Sequence, residues 1–229
     1  MKIAYSGRSE ISAKRIALVS NGAITAVRGG TAEIGWGVAN ANTLLNSDTS
    51  NATNKRVMRN LFAQHDVPMP KLLDNSEIGH AIFQGKTVIG RPDYHMKGRG
   101  FWKCQTLEDV RRAYRGTRKK KPATHFMEYI EAPREYRVHI FQGKSLRISE
   151  KLHTAFHEYT TIKPTHNVKH VRKAAKQAVE ALGLDFGTVD ILADNDNCWV
   201  LEVNTAAGLG GTMPRVWCRA FLDWYDNER

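Results

Sequence analysis

The sequence predicts an α+β protein whose strands pair mostly antiparallel. Three observations carry that expectation. Apolar runs of strand composition come in consecutive pairs around turn residues, at 81–90, 135–151 and 187–204. Helical periodicity occupies separate stretches, at 51–64, 107–118 and 168–182. The two kinds of segment alternate without the regularity of a doubly wound parallel sheet.

Residues 1–50 are rich in Gly, Ala, Asn, Ser and Thr, with short apolar stretches at Ile16–Val19 and Ile24–Val27. Two or three short strands and loops are expected there, too few for a core of their own. Asn51–Gln64 is helical in pattern, with Val57, Leu61 and Phe62 spaced for one face. It stops before Pro68 and Pro70, which favour an extended exit. Ala81–Gly90 reads as a hairpin turning at Gln84-Gly85-Lys86. The loop His95–Phe101 then leads into a strand and a basic helix, Leu107–Arg118. Thr106 suits the N-cap of that helix, and Glu108 and Asp109 suit its first turn. Beyond Pro122, Thr124–Ile130 reads as a strand, and Glu135–Phe141 pairs with Lys144–Lys151 across Gln142-Gly143. Val168–Leu182 is an amphipathic helix closed by Gly183. A hairpin over 187–204 follows, and Met213–Tyr225 is a last helix with Pro214 in its first turn.

With 229 residues and 41% apolar content, the chain can bury one sizeable core or two smaller lobes. No apolar run approaches the ~18 residues needed to span a bilayer, which argues against a membrane partner. The N-terminal MKIAYSGRSE lacks the apolar stretch of a secretory signal. Cys104, Cys198 and Cys218 show no CxxC spacing, so a reducing cytoplasm is expected rather than a disulfide framework or zinc site. The net charge of +11 calls for an anionic partner: nucleotide phosphates, an acidic polypeptide or nucleic acid. Nucleic acid is the less favoured of these, because no aromatics interleave with the basic run Arg115–Lys121 and no recognition motif is present.

The chemistry concentrates in Gly187–Gly211. Asp190 interrupts the first apolar strand of the hairpin, and Glu202 and Asn204 interrupt the second on one face. If the loop is Asn195–Asn197, Asp190 stands opposite Glu202, with Cβ atoms about 5 Å apart. Carboxylates that close need a cation between them to stay ionised. With the Asn204 amide they form the oxygen half-shell that Mg²⁺ prefers, phosphate oxygens and water completing it.

Other residues offer partners for phosphates. The loop Lys97-Gly98-Arg99-Gly100 is basic and flexible enough to fold over them, though it is neither a Walker A motif nor a Rossmann fingerprint. Arg91 ends a strand on the approach to that loop, and Lys55 serves the same phosphates if the fold brings it close. Phe126–Ile130, including Glu128, Tyr129 and Ile130, suits a strand lining a pocket for a flat ring. Glu135, seven residues beyond Glu128, could accept hydrogen bonds from ribose hydroxyls, and Arg137 is in phase with Glu135. Lys151 is a further candidate phosphate contact.

Taken in order, residues 51–212 resemble the ATP-grasp superfamily. Asn54-Lys55 with Val67-Pro-Met-Pro70 resembles the family's opening helix and proline strand. Val88-Ile-Gly-Arg-Pro92 resembles its phosphate-lysine strand, with Arg91 in place of lysine. Gly98 and Gly100 fall where its phosphate-covering loop lies, and Phe126–Ile130 resembles its adenine-holding hinge. The Glu128-to-Glu135 spacing is similar to that of D-alanine–D-alanine ligases, and Glu135-Tyr-Arg137-Val is similar to a strand of ribosomal-protein glutamate ligases, in which the arginine faces the transferred phosphate. Asp190, Glu202 and Asn204 match the family's magnesium ligands. Thr188 stands where D-alanine–D-alanine ligases carry arginine, which argues against dipeptide synthesis from D-alanine. Small bacteriophage proteins of the family are similar in length and carry a segment similar to Gly35-Trp36-Gly37.

The resemblance implies an α+β ATP-grasp fold of two lobes clasping ATP: a short N-terminal region over 1–50, an N-lobe with the glycine loop over 51–125, and a C-lobe with the metal site over 126–229. It implies ATP with Mg²⁺ or Mn²⁺, and a carbon–nitrogen ligase that joins a carboxylate to an amine through an acylphosphate, releasing ADP and phosphate. Arg137 and Lys151 are then the catalytic cations. An acidic polypeptide substrate would suit the charge, a second copy of the chain could complete the short N-terminal region, and a phage protein would work in its host's cytoplasm. Two readings compete: a kinase that uses the same ATP site to phosphorylate a hydroxyl, and a basic nucleic-acid binder without catalysis.

Overall fold

Four parallel strands open the chain: β1 (Lys2–Tyr5), β2 (Thr25–Arg28), β3 (Ala32–Trp36) and β4 (Thr43–Leu45), in the order β2-β1-β3-β4. The computed structural model describes residues 1–38, 42–93, 100–132, 134–155 and 158–228. Between β1 and β2 runs helix α1 (Glu10–Val19), which buries Ser12, Ala13 and Ile16. The first fifty residues therefore form a parallel αβ layer, not the few strands and loops expected. Ile16–Val19 belongs to a helix, and Ile24–Val27 leads into β2. This layer shares its core with the far end of the chain: Ile3, Ile16, Ile34 and Trp36 pack with Trp217 and Phe221 of the C-terminal helix.

Next come α2 (Ser50–Thr53) and α3 (Lys55–Gln64), whose Ala52, Met58 and Phe62 join the core of the last sheet of the chain, beside Tyr136 and Val138. Asn54 caps α3 by accepting hydrogen bonds from the backbone N–H groups of Arg56 and Val57. The buried face of α3 carries Lys55, Met58, Arg59 and Phe62, whereas Val57, placed on that face by the sequence reading, is exposed. A four-stranded antiparallel sheet follows, in the order β5-β8-β6-β7: β5 (Leu72–Leu73), β6 (Val88–Arg91), β7 (Trp102–Cys104) and β8 (His125–Glu128). Helices α4 (Asn75–Phe83) and α5 (Leu107–Arg115) pack against it through Ile78, Val110 and Ala113.

The hairpin expected at 81–90 is absent. Its first half is the end of α4, and Gln84-Gly85 turns the chain from helix into β6. The cause is a capping box four positions upstream of the helix's apolar face. The Asp74 side chain accepts from the N–H of Glu77, and the Glu77 carboxylate accepts from the N–H of Asp74. Asp74→Ala is expected to cost about 1 kcal/mol. Urea unfolding checks this, the midpoint falling while the slope is unchanged.

The third sheet is antiparallel throughout, ordered β11-β10-β9-β12-β13: β9 (Arg134–Phe141), β10 (Lys144–Ala155), β11 (Glu158–Ile162), β12 (Phe186–Ala193) and β13 (Cys198–Asn204). Helix α6 (Lys169–Ala181), with Gly183 at φ +68° ending its last turn, covers one face through Val171, Ala175, Ala178 and Val179. The opposite face meets α7 (Met213–Asn227) at one end and opens toward the second sheet at the other.

Candidate functional site

The open face of the third sheet is set by period-2 alternation in β9, β10, β12 and β13. Registered pairs place side chains in rows across it. One row runs Ser149, Arg137, Asp190, Glu202 from β10 to β13, and the next runs Arg147, His139, Thr188, Asn204. Beyond those two rows, Phe141 and Phe186 close the apolar end against α7. In the other direction lie Lys151, Glu135 and Leu192. A polar strip thus crosses a sheet whose reverse face is mostly apolar, with the buried Glu150 beside Tyr136 as an exception.

Asp190 does stand opposite Glu202, by a route different from the one expected. The hairpin loop has four residues, Asp194–Asn197, which alone would put the pair out of register. A bulge between Asp190 and Ile191 on the β12–β13 ladder, with Leu201 as the extra residue, restores it. Leu201 and Glu202 consequently both line the cleft.

Basic side chains surround these acids. Arg137 donates from Nε and Nη2 to the two oxygens of Asp190, both at 2.8 Å, in the two-pronged geometry that gives the strongest such pairs. Lys151 Nζ lies 2.5 Å from Glu135 Oε1 and 3.1 Å from Asp190 Oδ1. Lys55, the first residue of α3, is nearly buried and brings its Nζ to 3.3 Å from Glu202 Oε2, while Asn204 donates to Glu202 Oε1 at 3.0 Å. The helix start is anchored by the Lys55 N–H donating to Asp93 O at the end of the second sheet. Burial alone would raise the Asp190 carboxyl, but the hydrogen bonds and charges of Arg137 and Lys151 outweigh it and hold the group below the usual carboxylate range. Glu202 is likewise held low against its burial, chiefly by Lys55. Both acids are therefore ionised at neutral pH.

The fold gathers Lys55, Arg91, Glu128, Tyr129, Ile130, Glu135, Asp190, Glu202 and Asn204 around one cleft of about 800 Å³ between the second and third sheets. Arg137 and Lys151 reach that cleft through the acids they pair with rather than lining it. Arg137 instead walls a neighbouring pocket on the other side of Asp190. Glu128 Oε1 accepts from the N–H of Lys71, which ties β8 to the start of β5. Tyr129 is partly exposed, with Lys103 Nζ 4.6 Å from its ring centre. Arg91 is half-buried, its guanidinium 5.4 Å from the Phe101 ring. Lys97, Gly98 and Arg99 lie outside the described residues. Gly100 is described: it takes φ +87° and sits so close to Pro92 that a Cβ would come within 2.7 Å of the proline ring.

Several members of the cleft escaped the sequence reading, Arg59, Leu192 and Leu201 among them. Arg59 is one turn beyond Lys55, buried, and donates to Leu201 O at 3.1 Å. Its i,i+4 spacing from Lys55 was the available signal. Leu192 and Leu201, with Ile89 and Met127, supply apolar walls between the acids and the Tyr129–Ala132 stretch. Leu192 could have been found from its position two residues after Asp190; Leu201 faces the cleft only because of the bulge.

The donor set suits a hard cation. Two ionised carboxylates and an amide oxygen on adjoining strands match Mg²⁺, and no softer ligand stands among them. Among the described residues, no three His, Cys, Asp or Glu side chains gather into a self-sufficient cage. An ion here would share its shell with ligand oxygens or water.

At the edge of the cleft, burial first, and then the nearby Arg59 charge, push His125 down to about 4, against the opposing pull of Asp93. The folded protein then binds fewer protons at this position than the unfolded chain between about pH 6.5 and 4. Stability contributed by His125 is present above pH 6.5 and is lost as pH falls through that window. Denaturant midpoints measured from pH 7 to pH 4.5 are expected to fall less steeply in His125→Gln than in wild type.

No family model matches the chain, and no curated protein matches it. Solved structures do. The D-alanine–D-alanine ligase of Bacillus anthracis complexed with ATP superposes with a TM-score of 0.70 at 14% identity, covering 96% of this chain and 91% of that one. The D-cycloserine synthetase DcsG gives 0.67 at 16% identity, covering 97% and 99%. The ATP-grasp ligase PsnB, complexed with precursor peptide PsnA2 and AMPPNP, gives 0.57 at 18% identity, covering 93% and 65%. What these structures share with this chain is the fold.

Proposed function

We propose that this chain, which has the ATP-grasp fold, is an ATP-dependent carbon–nitrogen ligase that joins a carboxylate to an amine. The observation that carries the reading is the cleft itself, where ionised Asp190 and Glu202 face each other across two strands beside Lys55, Arg91 and an apolar slot. The slot lined by Ile89, Met127, Leu192 and Leu201 has the apolar character that suits a flat ring such as a purine. Glu135 lies where ribose hydroxyls would follow, and the cations lie where phosphates would.

Asp190, Glu202 and Asn204 would hold Mg²⁺ together with nucleotide phosphate oxygens. When bound, the ion supplies neutralisation of phosphate charge. The chain's own residues do the rest. Arg91 and Lys55 bind and orient the phosphates, and Arg59 keeps the Leu201 carbonyl and the bulge in place. Arg137 stands between the nucleotide cleft and the adjacent pocket, so its charge meets the charge that grows as a carboxylate oxygen attacks the γ-phosphorus. In that step an O–P bond forms and the bond to the β–γ bridging oxygen breaks, releasing ADP. In the next, an amine nitrogen attacks the acyl carbon of the acylphosphate, phosphate leaves, and the nitrogen gives up a proton to solvent or to the phosphate. No enzyme nucleophile is needed. The charge of +11 supports an acidic polypeptide as one of the two substrates.

The test is ADP release with Mg·ATP and a panel of carboxylates and amines. ADP release requiring one of each supports the ligase. ADP release with a hydroxyl compound alone, accompanied by a stable phosphoester, would establish the kinase instead.

A further inference from the structure

Behind the Arg137–Asp190 pair, a second pocket of about 580 Å³ is walled by Arg137, His139, Arg147, Ser149 and the turn at Gly210–Thr212. Arg147 Nη1 is 3.3 Å from Thr212 Oγ1 and its side chain is exposed toward solvent. His139 is only 3% exposed. Trp217 on α7 donates its indole N–H to His139 Nδ1 at 3.1 Å, and Thr188 Oγ1 lies 3.1 Å from the same nitrogen. An indole N–H can only donate, so Nδ1 must present its lone pair. The ring's proton then sits on Nε2. Burial first, and then the Arg137 charge, push His139 down to about 3, so the ring is neutral at physiological pH despite the opposing Asp190. Among the described residues Nε2–H has no protein partner, although His139 forms part of the pocket wall.

A buried, neutral, single-tautomer donor has a specific chemical use. A cation placed on a carboxylate lowers the nucleophilicity of its oxygens, whereas a neutral N–H orients the group at smaller electrostatic cost. The same N–H can then meet negative charge developing on the acyl oxygen.

We propose that His139 is a catalytic residue of the acceptor pocket, its Nε2–H donating to the carboxylate of a substrate whose remaining negative charge faces Arg147. The inference rests on the ligase reading above. It makes the preferred substrate an acidic amino acid, or a polypeptide with a C-terminal acidic residue or two neighbouring ones, so that two carboxyl groups lie within one side chain's reach of each other.

The test uses the full chain labelled with ¹⁵N-histidine, with the His139 signals assigned by comparison with His139→Gln. Long-range ¹⁵N–¹H correlation at pH 7 is expected to show the proton on Nε2 and a bare Nδ1. N-acetyl-L-glutamate should move the Nε2 signal saturably, sodium chloride at equal ionic strength should not, and Arg147→Ala should weaken the response by about tenfold. With the best carboxylate from the turnover panel, His139→Asn should raise its KM by about tenfold and leave the KM for ATP unchanged, while His139→Gln, which carries an amide N–H near the Nε2 position, recovers most of the loss. A proton on Nδ1, or no saturable movement with N-acetyl-L-glutamate, overturns the proposal without any variant having to fold. Thermal stabilisation by Mg·ATP, measured on the same sample, separates the two readings. Stabilisation with a silent His139 overturns this inference alone, and a responsive His139 without stabilisation overturns the ligase reading.

Discussion

Asp190→Asn combined with Glu202→Gln is expected to lower ADP formation by about 10³-fold or more while leaving the fold in place. The two carboxylates supply most of the oxygen donors for a divalent ion, and they also hold three cations in position. Without them Arg137 and Lys151 lose the partner that fixes both, and Lys55 loses Glu202. Removing one aimed group from a transition-state charge site typically costs about 10² to 10³ in rate, and this variant disturbs several. Glu135 remains beside Lys151, so the buried cluster is not left wholly uncompensated. The amides keep the shape of the acids and can still accept hydrogen bonds. Loss of stability should therefore fall below the ~3–5 kcal/mol seen when one partner of a buried pair is deleted outright. Steady-state ADP release and circular dichroism on the same preparation check both halves of the expectation. Wild-type turnover in the double variant would remove the metal assignment and most of the proposed chemistry.

Phe186→Ala is expected to cost about 3–5 kcal/mol, a large part of the stability of a typical domain. Phe186 is fully buried where three parts of the chain meet. Its ring stacks on Trp36 of the N-terminal layer at 5.5 Å and packs against Trp217 and Phe221 of α7, each at 5.5 Å. Phe141, its pair on β9, adds a further ring contact. Truncation leaves a cavity that these rigid rings cannot collapse to fill. Guanidinium unfolding followed by tryptophan fluorescence reads the loss, because Trp36 and Trp217 border the cavity. A change below about 1 kcal/mol would show that the N-terminal layer and the third sheet do not share a core.

That shared core was the part of the fold least legible in the sequence. The strands β1 to β4 are three to five residues long, and none shows enough alternation to announce a parallel sheet. Their apolar partners, Trp217 and Phe221, lie at the far end of the sequence, and nothing local records such a contact. The false hairpin at 81–90 had a different origin. Ile82-Phe83 and Val88-Ile89 flank a good turn, and the pattern outweighed the Asp74…Glu77 capping box, which was readable but lay outside the window.

The site was more legible than the fold around it, because period-2 spacing in strands survives whatever surrounds them. Asp190, Glu202 and Asn204 fall on one face from strand spacing, and Glu135 and Arg137 are in phase with each other; the register puts both sets on the same open face. Their pairing across β9 and β12 was not readable. Arg137 was expected to face a phosphate, and its pairing with Asp190 had no local sign. The bulge at Leu201 also had no local sign, since it compensates a loop one residue longer than the shortest reading allowed. Arg59 and His139 were missed because a buried cation and a buried imidazole look like surface residues in a list of letters.

The central claim is that a substrate carboxylate takes the γ-phosphoryl group before an amine displaces it. Transfer of ¹⁸O tests it most directly. With the active carboxylate labelled in both oxygens and Mg·ATP and the amine present, the account predicts one ¹⁸O atom in each phosphate released and one retained in the amide. Phosphate released without label, or a phosphorylated hydroxyl in place of an amide, would contradict it.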